Sequence, residues 1–186
     1  MAETNGRNSR VEIRFSGSGG QGILLAAAIV AEAATALGKH VVQTQSYGPA
    51  ARGGASKAEA IIADDEIDYP EVDTPDVSLC LSQAAYEKYA KDTRPGGLLV
   101  YDSGLVEPDD SLQGRDLHGI PFTQAAAEHL KKTVVANIVA VGALVEITGM
   151  VPAEAAEAAV VSRVPERFRE LNVDAFRLGC RLASEA

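Results

Sequence analysis

The most constraining stretch of this chain runs from Val11 to Gly38, where an alternating segment, a glycine-rich turn and an apolar helix follow one another without a spacer. Val11-Glu12-Ile13-Arg14-Phe15 alternates apolar and polar residues, the period of a half-buried strand. Gly17-Ser18-Gly19-Gly20-Gln21-Gly22 comes next and satisfies G-x-G-x-x-G at Gly17, Gly19 and Gly22. Ile23 to Leu37 is almost wholly small or aliphatic, broken only by Glu32 and Thr35, and stops at Gly38, a natural residue to end a helix. A helix so apolar must be covered on most of its faces. Glycines in such a turn let the backbone approach an anion, and the helix start offers unpaired N–H groups to it. The same motif also serves as a tight strand-to-helix turn that holds nothing.

The rest of the chain repeats the alternation of strand and helix. His40–Ser46 and Ser56–Ala63 read as strands, separated by the breaker-rich loop Gly48-Pro49-Ala50-Ala51-Arg52-Gly53-Gly54. Asp64 to Asp76 is an acidic connector with room for a short hairpin. Val77–Leu81 is a central strand, Gln83–Thr93 a helix, and Leu98–Tyr101 a further strand ending at Asp102-Ser103-Gly104. Residues 105–122 are irregular, with an edge strand near Ile120-Pro121-Phe122. From Thr123 onward the chain is helical: Val134–Ile147 is apolar nearly all round except at Asn137, Pro152 opens an Ala/Glu-rich helix, and Asn172–Ser184 forms the last. Short apolar strands alternating with helices predict an α/β Rossmann-like three-layer sandwich, with a mixed, mostly parallel sheet and a helical C-terminal segment. At 186 residues, one domain over 11–186 behind a flexible tail at 1–10 is the expectation.

Charge and cysteines exclude several classes. A formal net charge of -9 opposes a basic nucleic-acid surface or an anionic membrane. The longest apolar stretches, Ile23–Ala31 and Val134–Val145, fall short of the ~20 residues that span a bilayer. Cys80 and Cys180 stand a hundred positions apart, with no CxxC pair for zinc or an iron–sulfur cluster, and read as two buried free thiols of a cytoplasmic protein. His40, His118 and His129 have no metal-ligand spacing and read as surface or cap residues. No Ser-His-Asp or G-x-S-x-G arrangement is present, so catalytic and metal-ligating residues are both expected to be none. Lys131-Lys132 complements a helix C-terminus, and Asn137 is either a satisfied core amide or an inter-subunit hydrogen bond.

Two nucleotide readings of the glycine loop fail within the sequence. A dinucleotide site needs an acidic residue at the end of the second strand, and Val41-Val42-Gln43-Thr44-Gln45-Ser46 has none. A P-loop needs Lys and Ser/Thr after its last glycine, and Gly22 is followed by Ile23-Leu24. In a parallel sheet the loop Ser46–Gly54 leaves the same edge as the glycine loop. Arg52, set among glycines, suits a phosphate or carboxylate, or is a solvated turn residue.

Gly-Ser-Gly-Gly-Gln-Gly followed by Gln-Ser-Tyr-Gly-Pro-x-Ala-Arg-Gly-Gly resembles the gamma subunit of the 2-oxoacid:ferredoxin oxidoreductases. The likeness continues through Ala55–Glu59, Glu66-Ile67-Asp68-Tyr69-Pro70, Ser82–Tyr86 and Ala136–Gly142, over roughly residues 11–180. Thr-Gln-Ser-Tyr-Gly-Pro and Glu-Ile-Asp-Tyr-Pro look most like the 2-oxoglutarate-type enzymes and next most like the branched-chain 2-oxoacid ones. Ala50 departs from the pattern, where Glu commonly follows Gly-Pro.

The resemblance implies oxidative decarboxylation of a 2-oxoacid to acyl-CoA with reduction of ferredoxin. It implies thiamine diphosphate, Mg and iron–sulfur clusters in partner subunits only. To this chain it implies assembly with the thiamine-binding and other subunits, contact with ferredoxin through the complex, and coenzyme A as the ligand. Gly17, Gly19, Gly20, Gln21, Gly22, Ser46, Tyr47, Arg52 and Gly53 are the expected CoA-phosphate residues, the isolated chain is expected to be inactive, and with its neighbours absent it is expected to form a homodimer. The competing readings are a free-standing Rossmann-like nucleotide-binding protein and a pure scaffold subunit.

Overall fold

The structure, a computed structural model, describes residues 10–46 and 54–185. In chain order it contains β1 (Val11–Ser18), α1 (Ile23–Ala36), β2 (His40–Ser46), β3 (Ala55–Ala63), β4 (Val77–Cys80), α2 (Gln83–Tyr89), β5 (Leu98–Asp102), β6 (Asp116–Ile120), α3 (Phe122–Leu130), α4 (Ala136–Thr148), α5 (Ala153–Arg163) and α6 (Arg169–Glu185). The six strands form one sheet in the order β2-β3-β1-β4-β5-β6. β1, β4, β5 and β6 pair in parallel. β3 runs antiparallel to both β1 and β2, so β2 points the same way as β1. The expected α/β sandwich with a mixed, mostly parallel sheet is the observed one.

Alternation sorts the two sheet faces. Ile13 and Phe15, in register with Ala60 and Ala58 on one side and Val77 and Leu79 on the other, face α1 and α3–α6 in one large apolar core. Arg14 and Ser16 face the opposite side, where α2 and the β5–β6 connection bury Cys80, Tyr86, Leu99, Val106 and Leu112. The helical C-terminal segment covers the first face. α4 is that layer's centre, with Ile138, Val139, Ala140, Val141, Ala143 and Leu144 fully buried. Its apolar circumference is therefore explained by core position.

Three boundaries differ from expectation. β6 occupies Asp116–Ile120 rather than the apolar Ile120-Pro121-Phe122, because an edge strand tolerates Asp116, His118 and Gly119 where a central one would not, and Phe122 opens α3. α2 ends at Tyr89, and Ala90–Asp92 tightens into a 3-10 turn. α6 begins at Arg169, three residues before Asn172. The connector of residues 64–76 contains no strand. Among the described residues no helix is long and apolar enough to cross a membrane.

Candidate functional site

The glycine loop sits at the carboxyl edge of the parallel strands, where open α/β sheets bind ligands. Ser18 N–H donates to Gln21 Oε1 at 2.6 Å, and Gln21 Nε2 donates to the Leu81 carbonyl at 2.7 Å. The Gln21 side chain thus clips the turn to the end of β4, and a Cβ on Gly17 would lie 2.7 Å from its Oε1. The Gln21 N–H donates to the Ser18 carbonyl, leaving the cleft-side role to neighbouring amides. Gly20 and Gly22 have φ of 88° and 71°, the left-handed region that glycine enters without strain. Gly22 begins α1 with no side-chain cap and no acid in the first turn. The positive end of a fourteen-residue helix is therefore left without an internal anion.

Asn137, one residue into α4, donates from Nδ2 to the Gly22 carbonyl at 3.1 Å. A Cβ on Gly22 would lie 2.4 Å from that nitrogen. Asn137 thus makes an intramolecular amide hydrogen bond, one of the two roles the sequence left open for it. A cleft of about 220 Å³ with mixed polar and apolar walls lies here, lined among others by Gly20, Gln21, Asp102, Thr123, Val134 and Asn137. An apolar groove of about 430 Å³ adjoins it, sharing Gly20, Val134 and Asn137 and adding Leu25, Phe168 and Leu171.

Asp102 and Thr123 are site residues that sequence reasoning missed. Asp102 Oδ2 accepts from Thr123 N at 3.0 Å and Thr123 Oγ1 at 2.6 Å, and Oδ1 accepts from Gly104 N at 3.1 Å. Its charge is spent on the start of α3, so an anion in the cleft belongs on the α1 side. The available signal was a carboxylate closing an apolar strand at the ligand edge of a parallel sheet.

The strands that flank the second loop lie as topology requires. Lys57 is in register with Ser46 of β2 and Ser16 of β1, which puts the base of that loop on the glycine-loop edge. Tyr47, Arg52 and Gly53 lie outside the described residues, and Ser46 is described in backbone only.

Across the sheet, the buried Arg14 donates from Nε to Glu59 Oε1 at 2.7 Å and from a terminal nitrogen to the Val72 carbonyl at 2.7 Å, and pairs with Asp92. Lys57 reaches the same Glu59 oxygen at 2.8 Å. This network pins the acidic connector to β1. Burial pushes the Cys80 thiol up to about 11. Cys180 is half-buried rather than buried, and its thiol is also pushed up to about 11. His40 and His129 are exposed, and His118 is half-buried beside Asp116. Lys131 donates to the Glu128 carbonyl at 2.7 Å, the helix-end role expected of it. Among the described residues no group of three or more His, Cys, Asp and Glu is placed to hold a metal ion.

The family model for pyruvate ferredoxin/flavodoxin oxidoreductase matches residues 12–182. A 2-oxoglutarate synthase subunit KorC of Methanocaldococcus jannaschii is 48% identical over 178 residues, 95% of either chain. The crystal structure of a keto/oxoacid ferredoxin oxidoreductase gamma subunit from Geobacter sulfurreducens superposes with a TM-score of 0.85 at 48% identity, over 95% of this chain and 98% of that one. A 2-oxoglutarate:ferredoxin oxidoreductase from Magnetococcus marinus, solved with 2-oxoglutarate, coenzyme A and succinyl-CoA bound, superposes with a TM-score of 0.87 at 27% identity. There 95% of this chain matches 31% of a longer one. The chain belongs to the pyruvate ferredoxin/flavodoxin oxidoreductase family.

Proposed function

We propose that this family member is the gamma subunit of a 2-oxoglutarate:ferredoxin oxidoreductase, and that its glycine-loop edge holds the phosphates of coenzyme A. The 2-oxoglutarate assignment is supported by the KorC relative at 48% identity over nearly the full length of either chain. The ligand assignment is carried by one observation: a long, uncapped helix start, presented by glycines at the ligand edge of the sheet. Backbone amides of Gly19, Gly20 and Gly22 and of the first turn of α1 donate to a phosphate, and Arg52, from the loop based on the same edge, adds a guanidinium. Ser46, Tyr47 and Gly53 are assigned to the same ligand on the motif they share with Arg52.

Thiamine diphosphate with Mg supplies the decarboxylation chemistry, iron–sulfur clusters carry the electrons to ferredoxin, and both reside in partner subunits. The chain acts as one domain over residues 11–186, in the cytoplasm, and is inactive alone. Without its partners it forms a homodimer.

Gly19 provides the test. A Cβ there meets nothing within 4 Å, and its φ lies outside the left-handed region, so Gly19→Ala leaves the fold intact. The added methyl stands where the phosphate would approach. In the assembled enzyme, Gly19→Ala and Arg52→Ala are expected to raise KM for CoA while cluster content and assembly stay normal. Loss of one charged hydrogen bond at Arg52 costs about 1.5–3 kcal/mol, roughly tenfold or more in KM. Unchanged CoA dependence in both variants would leave the chain as a scaffold.

A further inference from the structure

From the strand order and the charges around it, we infer that β2 is a self-pairing edge, through which two copies of this chain join their sheets antiparallel about a twofold axis at Gln43. This rests on the homodimer proposed above and assigns the surface that makes it.

β2 is the terminal strand of the sheet, paired only with β3 among the described residues. Among the described residues nothing pairs with its outer rim of N–H and C=O groups, the kind of edge to which another strand adds. The two edges of the sheet are treated differently. β6, at the far end, carries Asp116 and His118 and a glycine, devices that discourage strand addition. β2 reads His-Val-Val-Gln-Thr-Gln-Ser, seven residues without a formal charge, a proline or a glycine, and with three β-branched members.

A chain of net charge -9 repels its copy almost everywhere. Around β2 the acidic groups that are paired are matched one to one by basic groups, which lowers that repulsion locally. Lys39 pairs with Asp64 next to His40, Arg163 pairs with Glu32 beside α1, and Lys57 pairs with Glu59 on the adjoining strand. The open trough between α1 and β2, about 490 Å³, is lined by small and neutral groups at Ala31, Thr35, Val41 and Gln43 together with the Arg163–Glu32 pair.

The register is self-complementary. With the axis at Gln43, His40 opposes Ser46 of the copy, Val41 opposes Gln45 and Val42 opposes Thr44. No like charges meet, and two Val–Thr pairs form on one face, the kind of cross-strand pair that stabilises a sheet. The result is a continuous twelve-stranded sheet with the glycine-loop edges of both copies left free.

Gln43 pairs with itself, which makes the test geometric. Opposed Cα atoms in an antiparallel ladder lie about 4.5–5.5 Å apart, within the span of a disulfide. In the full chain, Gln43→Cys is expected to give a covalent dimer under mild oxidation at pH 8. Cys80 and Cys180, both held near 11, stay largely protonated and slow to react. Leu117→Cys, on exposed β6, is the control and is expected to remain monomeric on a non-reducing gel. The double variant Val42→Lys/Thr44→Lys sets lysines opposite each other and is expected to sediment as a monomer with unchanged circular dichroism. A wild-type chain that sediments as a monomer overturns both the homodimer and this assignment. A dimer that persists in the lysine variant, or crosslinks no faster through Cys at 43 than at 117, overturns the edge assignment alone and places the contact on another surface.

Discussion

The contact between Gly22 and Asn137 makes a quantitative prediction about the site's geometry. Gly22→Ala forces a side chain into φ 71°, which costs about 1–2 kcal/mol in the left-handed region. Its Cβ would also lie 2.4 Å from Asn137 Nδ2, so the amide must move and give up its bond to the Gly22 carbonyl. A buried donor left without a partner costs about 1–3 kcal/mol. The single substitution is thus worth about 2–5 kcal/mol. Asn137→Ala costs less, about 1–2 kcal/mol, because the Gly22 carbonyl still accepts from Ala26 N at 3.1 Å. In the double variant the clash disappears and no donor is stranded, leaving backbone strain plus the lost bond. The two changes should therefore couple: the double variant is more stable than the sum of the singles predicts, by about 1–3 kcal/mol. Urea denaturation of the full chain and its three variants measures this directly. Additivity within about 0.5 kcal/mol would refute the reading, and with it the claim that α4 holds the glycine turn in shape.

Two further outcomes follow from buried groups. Arg14→Met removes a guanidinium that serves Glu59, Asp92 and the Val72 carbonyl; breaking a buried pair costs about 3–5 kcal/mol, with the low end expected since Lys57 remains beside Glu59, and a loss under about 1 kcal/mol by denaturant titration would contradict a structural role for the network. The Cys80 thiol is held at about 11 when folded, above its unfolded value of about 8.5, so the folded state binds more protons between the two; its contribution to stability is complete below about pH 8.5 and is lost as pH rises toward 11, and Cys80→Ala should flatten the alkaline slope of the unfolding free energy.

Elements whose role is written locally were legible, and those set by pairing were not. The turn Gly17–Gly22 and the helix after it carry their own period, caps and breakers, and α1 at Ile23–Ala36 lies within a residue of expectation. β2 coincides with its expected span because polar and β-branched residues alternate between two breakers. β6 was displaced because Asp116, Leu117, His118 and Gly119 resemble a loop until β5 offers them a hydrogen-bonding partner. Arg14 reads as the solvent side of an amphipathic strand. Only the strand order, which places β1 between β3 and β4, turns it inward to meet Glu59, forty-five residues away. Asp102 is similar: its partner Thr123 is brought to it by the β6 crossover, which the sequence shows only as an irregular stretch. The CoA reading of Arg52 rests on motif and on where its loop is anchored, since that loop lies outside the described residues.

The C-terminal helices, which carry none of the family's loop motifs, nonetheless bear on the glycine turn. α4 and α6 meet backbone to backbone: a Cβ on Gly142 would lie 2.0 Å from the Phe176 carbonyl oxygen, and one on Gly179 would lie 1.9 Å from that of Val139. No side chain larger than hydrogen fits either position without parting the helices. That close approach fixes α4 along its length, and Asn137 lies five residues before Gly142, at the end of α4 that touches α1. The amide that holds the Gly22 carbonyl is therefore positioned by a contact a turn or more away, between residues that see no ligand. The buried charges are spent elsewhere, in the Arg14–Glu59 network on the opposite face, and this layer packs mainly on apolar and small residues, with Asn137 and Asn172 as its buried amides. A substitution that separates α4 from α6 would thus act on the glycine turn through Asn137, which makes the helical tail part of the site's construction beyond the side chains that line the cleft.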